Sequence, residues 1–298
     1  MNIKNIVKSQ AVRHKLLKLF SWLPDRIMLP MQYYMILHRR LNLKSPERFT
    51  EKIQCYKAFY RNEEMLKCTD KYLVREYVKI KLGTDKYLNT IYQVCKNADD
   101  IDFDSLPSSF VIKTTDGGNG DNVYICKDKA SIDKVHVTNL VNSWRSKKYY
   151  SISREWAYNG ARDSKVIVEQ FLSDTNDELL DYKMFCFNGK VEFFKVDFDR
   201  YKNHRANYYD LNMNILPFEE AEYPSDEGRA FCKPKNFDIM IEIAEKLSES
   251  FPFVRVDLYN IDGEIYFGEM TFYPGSGYSR FIPDSADLEI GKLFTYSF

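Results

Sequence analysis

No two cysteines in this chain stand at CxxC spacing, and its four histidines form no HExxH. These absences argue against a structural zinc site and a zinc hydrolase. The six cysteines, at 55, 68, 95, 126, 186 and 232, are scattered and fit reduced thiols better than a disulfide framework. Neither charge sign is in excess: 43 Lys and Arg balance 43 Asp and Glu, which gives no general case for nucleic acid. There is no 18-residue apolar run and no secretory apolar core, so the expectation is a cytoplasmic protein. Repeats and low-complexity tracts are also lacking.

What is present is a long chain rich in aromatics. The 298 residues are 15% Phe, Trp and Tyr, enough for a sizeable core in two or three lobes and too apolar for disorder. One local asymmetry stands out. Residues 1–40 hold eight Lys and Arg (4, 8, 13, 15, 18, 26, 39 and 40) against one acid, Asp25, a net of +7. Leu16, Leu17, Leu19, Phe20, Trp22 and Leu23 are interleaved with them. Such a segment either lies on an anionic membrane, at its inner face, or packs on its own domain with a solvated basic face.

The patterning predicts helices over 1–65, with a start signal at Ser45-Pro46-Glu47, then a helix from Thr69 to Lys81 stopped by Gly83. Strands are predicted at Phe110 to Thr114, Val123 to Cys126 and Val166 to Leu172, and a helix at Ser131 to Ser146. Asn188-Gly189 joins strands Tyr182 to Phe187 and Lys190 to Phe198 as a hairpin. A helix from Phe237 to Ser250 precedes a last hairpin. This order is α+β and hairpin-dominated, unlike a doubly wound sheet.

The last hairpin carries the clearest chemistry. Val254, Val256 and Leu258 alternate with Arg255, Asp257 and Tyr259, and Asp262-Gly263 marks the turn before a strand from Ile265 to Thr271. A three-residue loop, Asp262-Gly263-Glu264, pairs Ile261 with Ile265, which sets Asp257 opposite Glu269 and Arg255 opposite Thr271. Facing carboxylates repel, and a divalent cation between them turns the repulsion into a site. Their hard oxygens suit Mg²⁺. The plainer alternative is a solvated polar face.

Two further segments are candidates for holding phosphate and base. Lys113 ends a strand before Asp116-Gly117-Gly118-Asn119-Gly120, whose glycines allow a tight turn with inward amides, an arrangement that suits anions. It matches neither GxxxxGK[ST] nor GxGxxG, and an ordinary turn explains it equally well. Val166 to Leu172 is an apolar strand with a polar step at Glu169-Gln170, an edge able to offer a carbonyl and an amide to a flat base.

These pieces, in this order from about Ser45 to Gly291, resemble the ATP-grasp superfamily and more closely its TupA-like branch, associated with surface polysaccharides such as teichuronopeptide. The resemblance is carried by Cys68-Thr-Asp-Lys71-Tyr-Leu-Val-Arg75, Phe110-Val-Ile-Lys113 with its glycine turn, and Val168-Glu169-Gln-Phe-Leu172. Asp181-Tyr-Lys183-Met-Phe-Cys-Phe-Asn-Gly189, Asp197 to Arg205, Pro252 to Asp257 and Gly268 to Gly277 complete it.

It implies two α+β lobes clamping ATP after a helical N-terminal region. The expected division is 1–107 helical, 108–180 the small lobe with its glycine flap, and 181–298 the large lobe with the metal site. Lys71 and Lys113 would hold the phosphates under a flap containing Asp116, Gly117, Gly118 and Gly120. Glu169, the Gln170 carbonyl and the Leu172 amide would read adenine. Asp181 would hold ribose, with Glu178 as a fallback, and Lys183 would join the nucleotide site. Asp257, Glu269 and Thr271 would bind Mg²⁺, although the superfamily usually has Asn at the last position. Arg255 would stabilise the transferred phosphoryl group. Arg200, His204 and Arg205, with Gly275, Ser276 and Gly277, are the candidates on the substrate side, His204 as a base.

The implied activity is a carboxylate–amine ligase working through an acyl phosphate, joining an amine or amino acid to a uronic-acid carboxyl on a sugar or glycan. A kinase acting on a sugar hydroxyl and a non-catalytic scaffold of a glycan-assembly complex are the alternatives. Asp197-Phe-Asp199 matches a glycosyltransferase DxD in letters only.

Overall fold

The computed structural model describes residues 20–117, 122–145, 150–160, 164–173, 179–199 and 203–296. Gly118, Gly120, Glu178, Arg200 and the basic segment 1–19 lie outside the described residues.

Among the described residues four helices come first: α1 (Asp25–Leu37), α2 (Phe49–Phe59), α3 (Glu64–Cys68) and α4 (Val74–Leu82). Glu51 sets the start of α2, because its carboxylate accepts the amides of Glu47 at 3.0 Å and Arg48 at 3.2 Å. The helix therefore begins three residues beyond Pro46. Asp70 likewise delays α4 past Thr69. Its Oδ1 accepts the amides of Tyr72 at 2.8 Å and Leu73 at 2.9 Å, which keeps Lys71 in a turn rather than a helix.

The smaller sheet is antiparallel, in the order β1-β4-β2-β3, from β1 (Ile91–Cys95), β2 (Phe110–Thr114), β3 (Val123–Cys126) and β4 (Val166–Gln170). Val137, Val141 and Trp144 of α5 (Lys134–Arg145) pack with Phe110, Ile112, Val166 and Val168 into a separate core. The sheet begins before residue 108, since β1 is its edge strand.

After α6 (Tyr150–Ser153) comes the larger sheet, antiparallel in the order β10-β9-β5-β6-β7. Its strands are β5 (Asp181–Phe187), β6 (Lys190–Phe198), β7 (Arg205–Tyr209), β9 (Phe253–Ile261) and β10 (Glu264–Thr271), while β8 (Glu219–Glu220) pairs with β11 (Phe281–Ile282). The side chains divide by face. Met184, Phe194, Val254 and Val256 share one core with Met240, Ile243, Ala244 and Leu247 of α7 (Phe237–Ser248). Each of the larger side chains contributes roughly 1.5–3 kcal/mol when fully buried. The charged residues Asp181, Lys183, Lys195, Asp197, Arg255 and Asp257 fall at alternate positions on the other face. Helix α8 (Ser285–Leu293) closes the chain against α2, with Asp287 accepting the Thr50 amide at 2.9 Å.

The last hairpin reaches its expected pairing by an unexpected route. Its loop has two residues, Asp262 and Gly263, with φ of 53° and 99°, the positive values a type I′ turn needs. Ile261 therefore pairs with Glu264, one residue out of the anticipated register. An irregularity at Gly268 takes up that residue, so Phe267 pairs with Leu258 but Glu269 pairs with Asp257 and Thr271 with Arg255. Without it a one-residue slip would turn Glu269 to the opposite face. A Cβ at Gly268 would lie 2.9 Å from the Asp257 carbonyl and 3.2 Å from Tyr259 Cε2. Gly268→Ala is expected to cost about 1–3 kcal/mol in urea unfolding through this overpacking, and an unchanged midpoint would show that the bulge tolerates a side chain.

Candidate active site

Strand β9 alone sets Arg255 and Asp257 side by side, because residues two apart share a face. Arg255 grips Asp257 with Nε to Oδ1 at 2.7 Å and Nη2 to Oδ2 at 2.6 Å. Its Nη2 also donates to Thr271 Oγ1 at 3.0 Å and stands 3.5 Å from Glu269 Oε1. The Thr271 hydroxyl donates to Glu269 at 3.3 Å. Lys71 reaches the same place from the turn before α4. Its ammonium donates to the Gly117 carbonyl and lies 4.0 Å from Glu269, and its amide donates to Thr115 at 2.9 Å. Cys68, Lys71, Gly117, Tyr158, Gly268 and Glu269 line a cleft where the N-terminal helices and both sheets converge. Asp257 is 2% exposed, which removes the solvated-face alternative for it.

The charges continue inward along the sheet. Lys183 binds Asp181 closely and lies 3.2 Å from Asp197 and 3.4 Å from Asp257. Lys195 lies 2.7 Å from Glu220 and 3.4 Å from Asp197. His204 Nε2 is 3.3 Å from Asp197 Oδ1, and its ring centre is 4.3 Å from that of Tyr223. Five carboxylates (Asp181, Asp197, Glu220, Asp257, Glu269) thus meet four cations (Lys71, Lys183, Lys195, Arg255).

Burial dominates the electrostatics here. It pushes the Asp257 carboxyl up to about 6, against the pull of Arg255 and Lys183. Burial also opposes ionisation of Glu269, but Lys71, Arg255 and Lys183 outweigh it and bring that carboxyl down to about 2. Burial works against the charge on Lys183 and Arg255, yet the carboxylates around them raise both above their ordinary values.

Other expected residues fall nearby or apart. Lys113 and Glu169 pair with each other across β2 and β4. The Gln170 amide donates to the Thr90 carbonyl at 2.8 Å, and Leu172 follows β4 half-buried. Asp116 accepts from Ser164 Oγ at 2.6 Å. Arg205 opens β7 opposite Phe198. Gly275, Ser276 and Gly277 form a turn after β10 with φ of 54°, 55° and 68°. Lys57, Tyr158, Lys195, Glu220 and Gly268 were not anticipated. Lys195 and Asp197 repeat, two residues apart, the Asp181 and Lys183 spacing, a signal present in the letters.

With this geometry in place, comparison with known proteins identifies the chain. Residues 51–295 match the TupA-like ATPgrasp family, and the chain belongs to it. No curated protein matches it by sequence. Among solved structures it is similar to D-alanine–D-alanine ligase from Bacillus anthracis, with 19% identity, a TM-score of 0.47, and 76% of this chain and 65% of that one covered. An L-amino acid ligase from Bacillus licheniformis gives 15%, 0.44, 76% and 49%. Phosphoribosylamine–glycine ligase from Thermotoga maritima gives 12%, 0.38, 70% and 48%. The chain spans less than two thirds of the length of each of these structures.

Removing the shared cation tests the buried network. Lys183→Met leaves Asp181, Asp197 and Asp257 without it and is expected to cost about 3–5 kcal/mol near neutral pH. Asp257, already raised by burial, then loses one of the cations that oppose that shift and holds its proton more tightly in the folded than in the unfolded state. The variant should therefore regain stability as the pH falls through the folded value of Asp257. Denaturant midpoints across the acid range read this directly, and a loss of stability on acidification would contradict it.

Proposed function

We propose that this protein is an ATP- and Mg²⁺-dependent carboxylate–amine ligase that works through an acyl phosphate, joining an amino acid or amine to a uronic-acid carboxyl during surface-polysaccharide synthesis. One observation carries the chemistry: Asp257 stands opposite Glu269 at the cleft, with Thr271 and Arg255 alongside. The fit to Mg²⁺ rests on the donors. They are hard oxygens only, and among the described residues no group of three or more His, Cys, Asp or Glu completes a cage. Mg²⁺ commonly fills its remaining positions with phosphates and water. When bound, the ion neutralises charge between the β- and γ-phosphates.

The protein's own groups do the rest. Arg255, held charged, stabilises the transferred phosphoryl group beside Asp257. Lys71 and Lys113 hold phosphates, Lys113 exchanging Glu169 for nucleotide. The segment around Asp116 and Gly117 covers them, and Glu169, Gln170 and Leu172 take the base. Asp181 and Lys183 line the inner end of the nucleotide site. His204, beside Asp197, accepts the proton of the attacking amine, while Arg205 and the turn at Gly275–Gly277 face the carboxylate substrate. Arg200, outside the described residues, is a candidate for the same substrate by its chemistry alone. Membership of the TupA-like branch supports the polysaccharide setting. Such a ligase needs positioning and exclusion of water rather than a Ser-His-Asp set.

The test combines calorimetry with MgATP and an ADP-release assay on a panel of hexuronic acids and amino acids. Wild type should bind ATP in a Mg²⁺-dependent manner and release ADP only when both a uronate and an amine are present. Asp257→Asn/Glu269→Gln should lose at least a hundredfold in turnover. Release with a sugar alone would point to a kinase. Absence of nucleotide binding would overturn the proposal and leave the scaffold.

Peripheral contact with an anionic membrane belongs to the same proposal. The first 24 residues hold five Lys and Arg and no acid. Trp22 is 75%, Ile27 53% and Tyr34 58% exposed. Ile27, Met31 and Tyr34 are spaced i, i+4, i+7 along α1, opposite the buried Met28, Leu29 and Tyr33. Among the described residues no helix is long and apolar enough to cross a membrane. The protein should sediment with phosphatidylglycerol vesicles at low salt and be released by about 0.5 M salt. Equal binding to neutral vesicles, or none to either, would remove this contact.

A further inference from the structure

A second buried polar cluster lies beside the cleft, built on residues that the hairpin motifs do not include. Lys57, in the last turn of α2, has no exposed surface. Its ammonium donates to the Ser276 carbonyl at 2.7 Å, to Ser276 Oγ at 2.8 Å and to the Ser153 carbonyl at 3.1 Å. Gln54, one turn earlier, donates to the carbonyls of Ser276 at 3.1 Å and Gly277 at 2.9 Å. Glu155 completes the set, bonding to Ser276 and Ser153 and supplying the opposing charge for Lys57.

The turn these groups hold is an uncommon one. Gly275, Ser276 and Gly277 are consecutively left-handed, and Ser276 pays for its φ of 55° with a Cβ clash that glycine lacks. A run of this kind persists only where the surroundings determine it, and such strain concentrates at functional sites. The left-handed conformation directs two successive carbonyls at Gln54 and Lys57. The turn follows β10 directly, after the buried Phe272 and Tyr273. Tyr273 stands 6.4 Å, ring to ring, from Tyr158, which lines the cleft with Lys71 and Glu269. The cluster is thus joined to the metal hairpin both along the chain and across the cleft wall.

We propose that Lys57 is a positioning residue: its buried ammonium locks the Gly275–Gly277 turn in the left-handed form that presents it to the uronate substrate. This rests on the ligase reading for the identity of that substrate. Lys57 touches neither nucleotide nor metal ligands; two of its three bonds go to Ser276 and the third ties that turn to the Ser153 carbonyl. Burial also brings its ammonium down to about 8, against Glu155 and Asp25, a cost retained for a group whose bonds go mainly to this turn.

The full-length Lys57→Met variant tests this, with hydrogen exchange, calorimetry and kinetics read together. Peptides covering 272–279 should exchange about tenfold faster or more, with those of β9 and β10 unchanged. MgATP affinity should stay within about twofold of wild type, and KM for the uronate should rise about tenfold while KM for ATP does not. Lys57→Gln, which can still donate to one carbonyl, should fall between the two. Unchanged exchange in 272–279 would overturn the proposal. So would loss of protection throughout β9 and β10, or failure of both variants to fold, since either makes Lys57 a core residue. Wild type that fails to bind MgATP would instead overturn the ligase reading, and exchange in 272–279 would still report on the lock.

Discussion

The grip of Arg255 on Asp257 is the interaction around which the site is arranged. Strand pairing sets the buried Asp257 against Glu269, whose side chain reaches the open cleft at 42% exposure, and the two carboxylates cannot stand there unopposed. Arg255, two residues before Asp257, answers the repulsion from within the same strand. Lys183 answers it from β5 and Lys71 from the turn before α4. A bidentate guanidinium suits the first position, because its fork matches a carboxylate edge and its charge survives burial.

That constraint shapes the larger sheet. Strands β5 and β6 have one apolar face, and a second that is apolar at one end, at Phe185, Phe187 and Phe193, and charged at the other. The charged end holds a line of alternating charge from Glu269 through Arg255, Asp257, Lys183 and Asp197 to Lys195 and Glu220. Each ion is satisfied by the next, so removing a member costs more than the pair it breaks. Lys71 ties this line to the smaller sheet, its amide donating to the Thr115 carbonyl and its ammonium to the Gly117 carbonyl.

Much of this was legible in the letters. The turn dipeptides, the alternation of β9 and the apolar stripe of α7 each have a local cause, and they placed the last hairpin and its facing carboxylates correctly. The pairing of Asp257 with Glu269 was inferred through a three-residue loop that does not exist. A two-residue turn and a bulge at Gly268 restore the same register, and a bulge leaves no periodic trace. Strand β1 escaped notice because Ile91, Tyr92 and Val94 are apolar on both faces of a half-exposed edge. Strand β7 escaped because its buried Asn207 looks like a loop residue, although it bonds Tyr209 and the Asp226 carbonyl. Lys57 was hidden for the same physical reason. Helix α2 turns Thr50, Gln54 and Lys57 inward, where the partners Asp287, Ser276 and Ser153 come from more than 90 residues away in sequence and no helical pattern announces them.

The central claim is that Asp257 and Glu269 together hold one divalent ion at the cleft. Anomalous scattering from a crystal grown with Mn²⁺ and a non-hydrolysable ATP analogue tests it most directly. A manganese peak bonded to both carboxylates and to the nucleotide phosphates is the predicted result. Nucleotide bound with no peak between the two residues, and Arg255 still closed on Asp257, would contradict it.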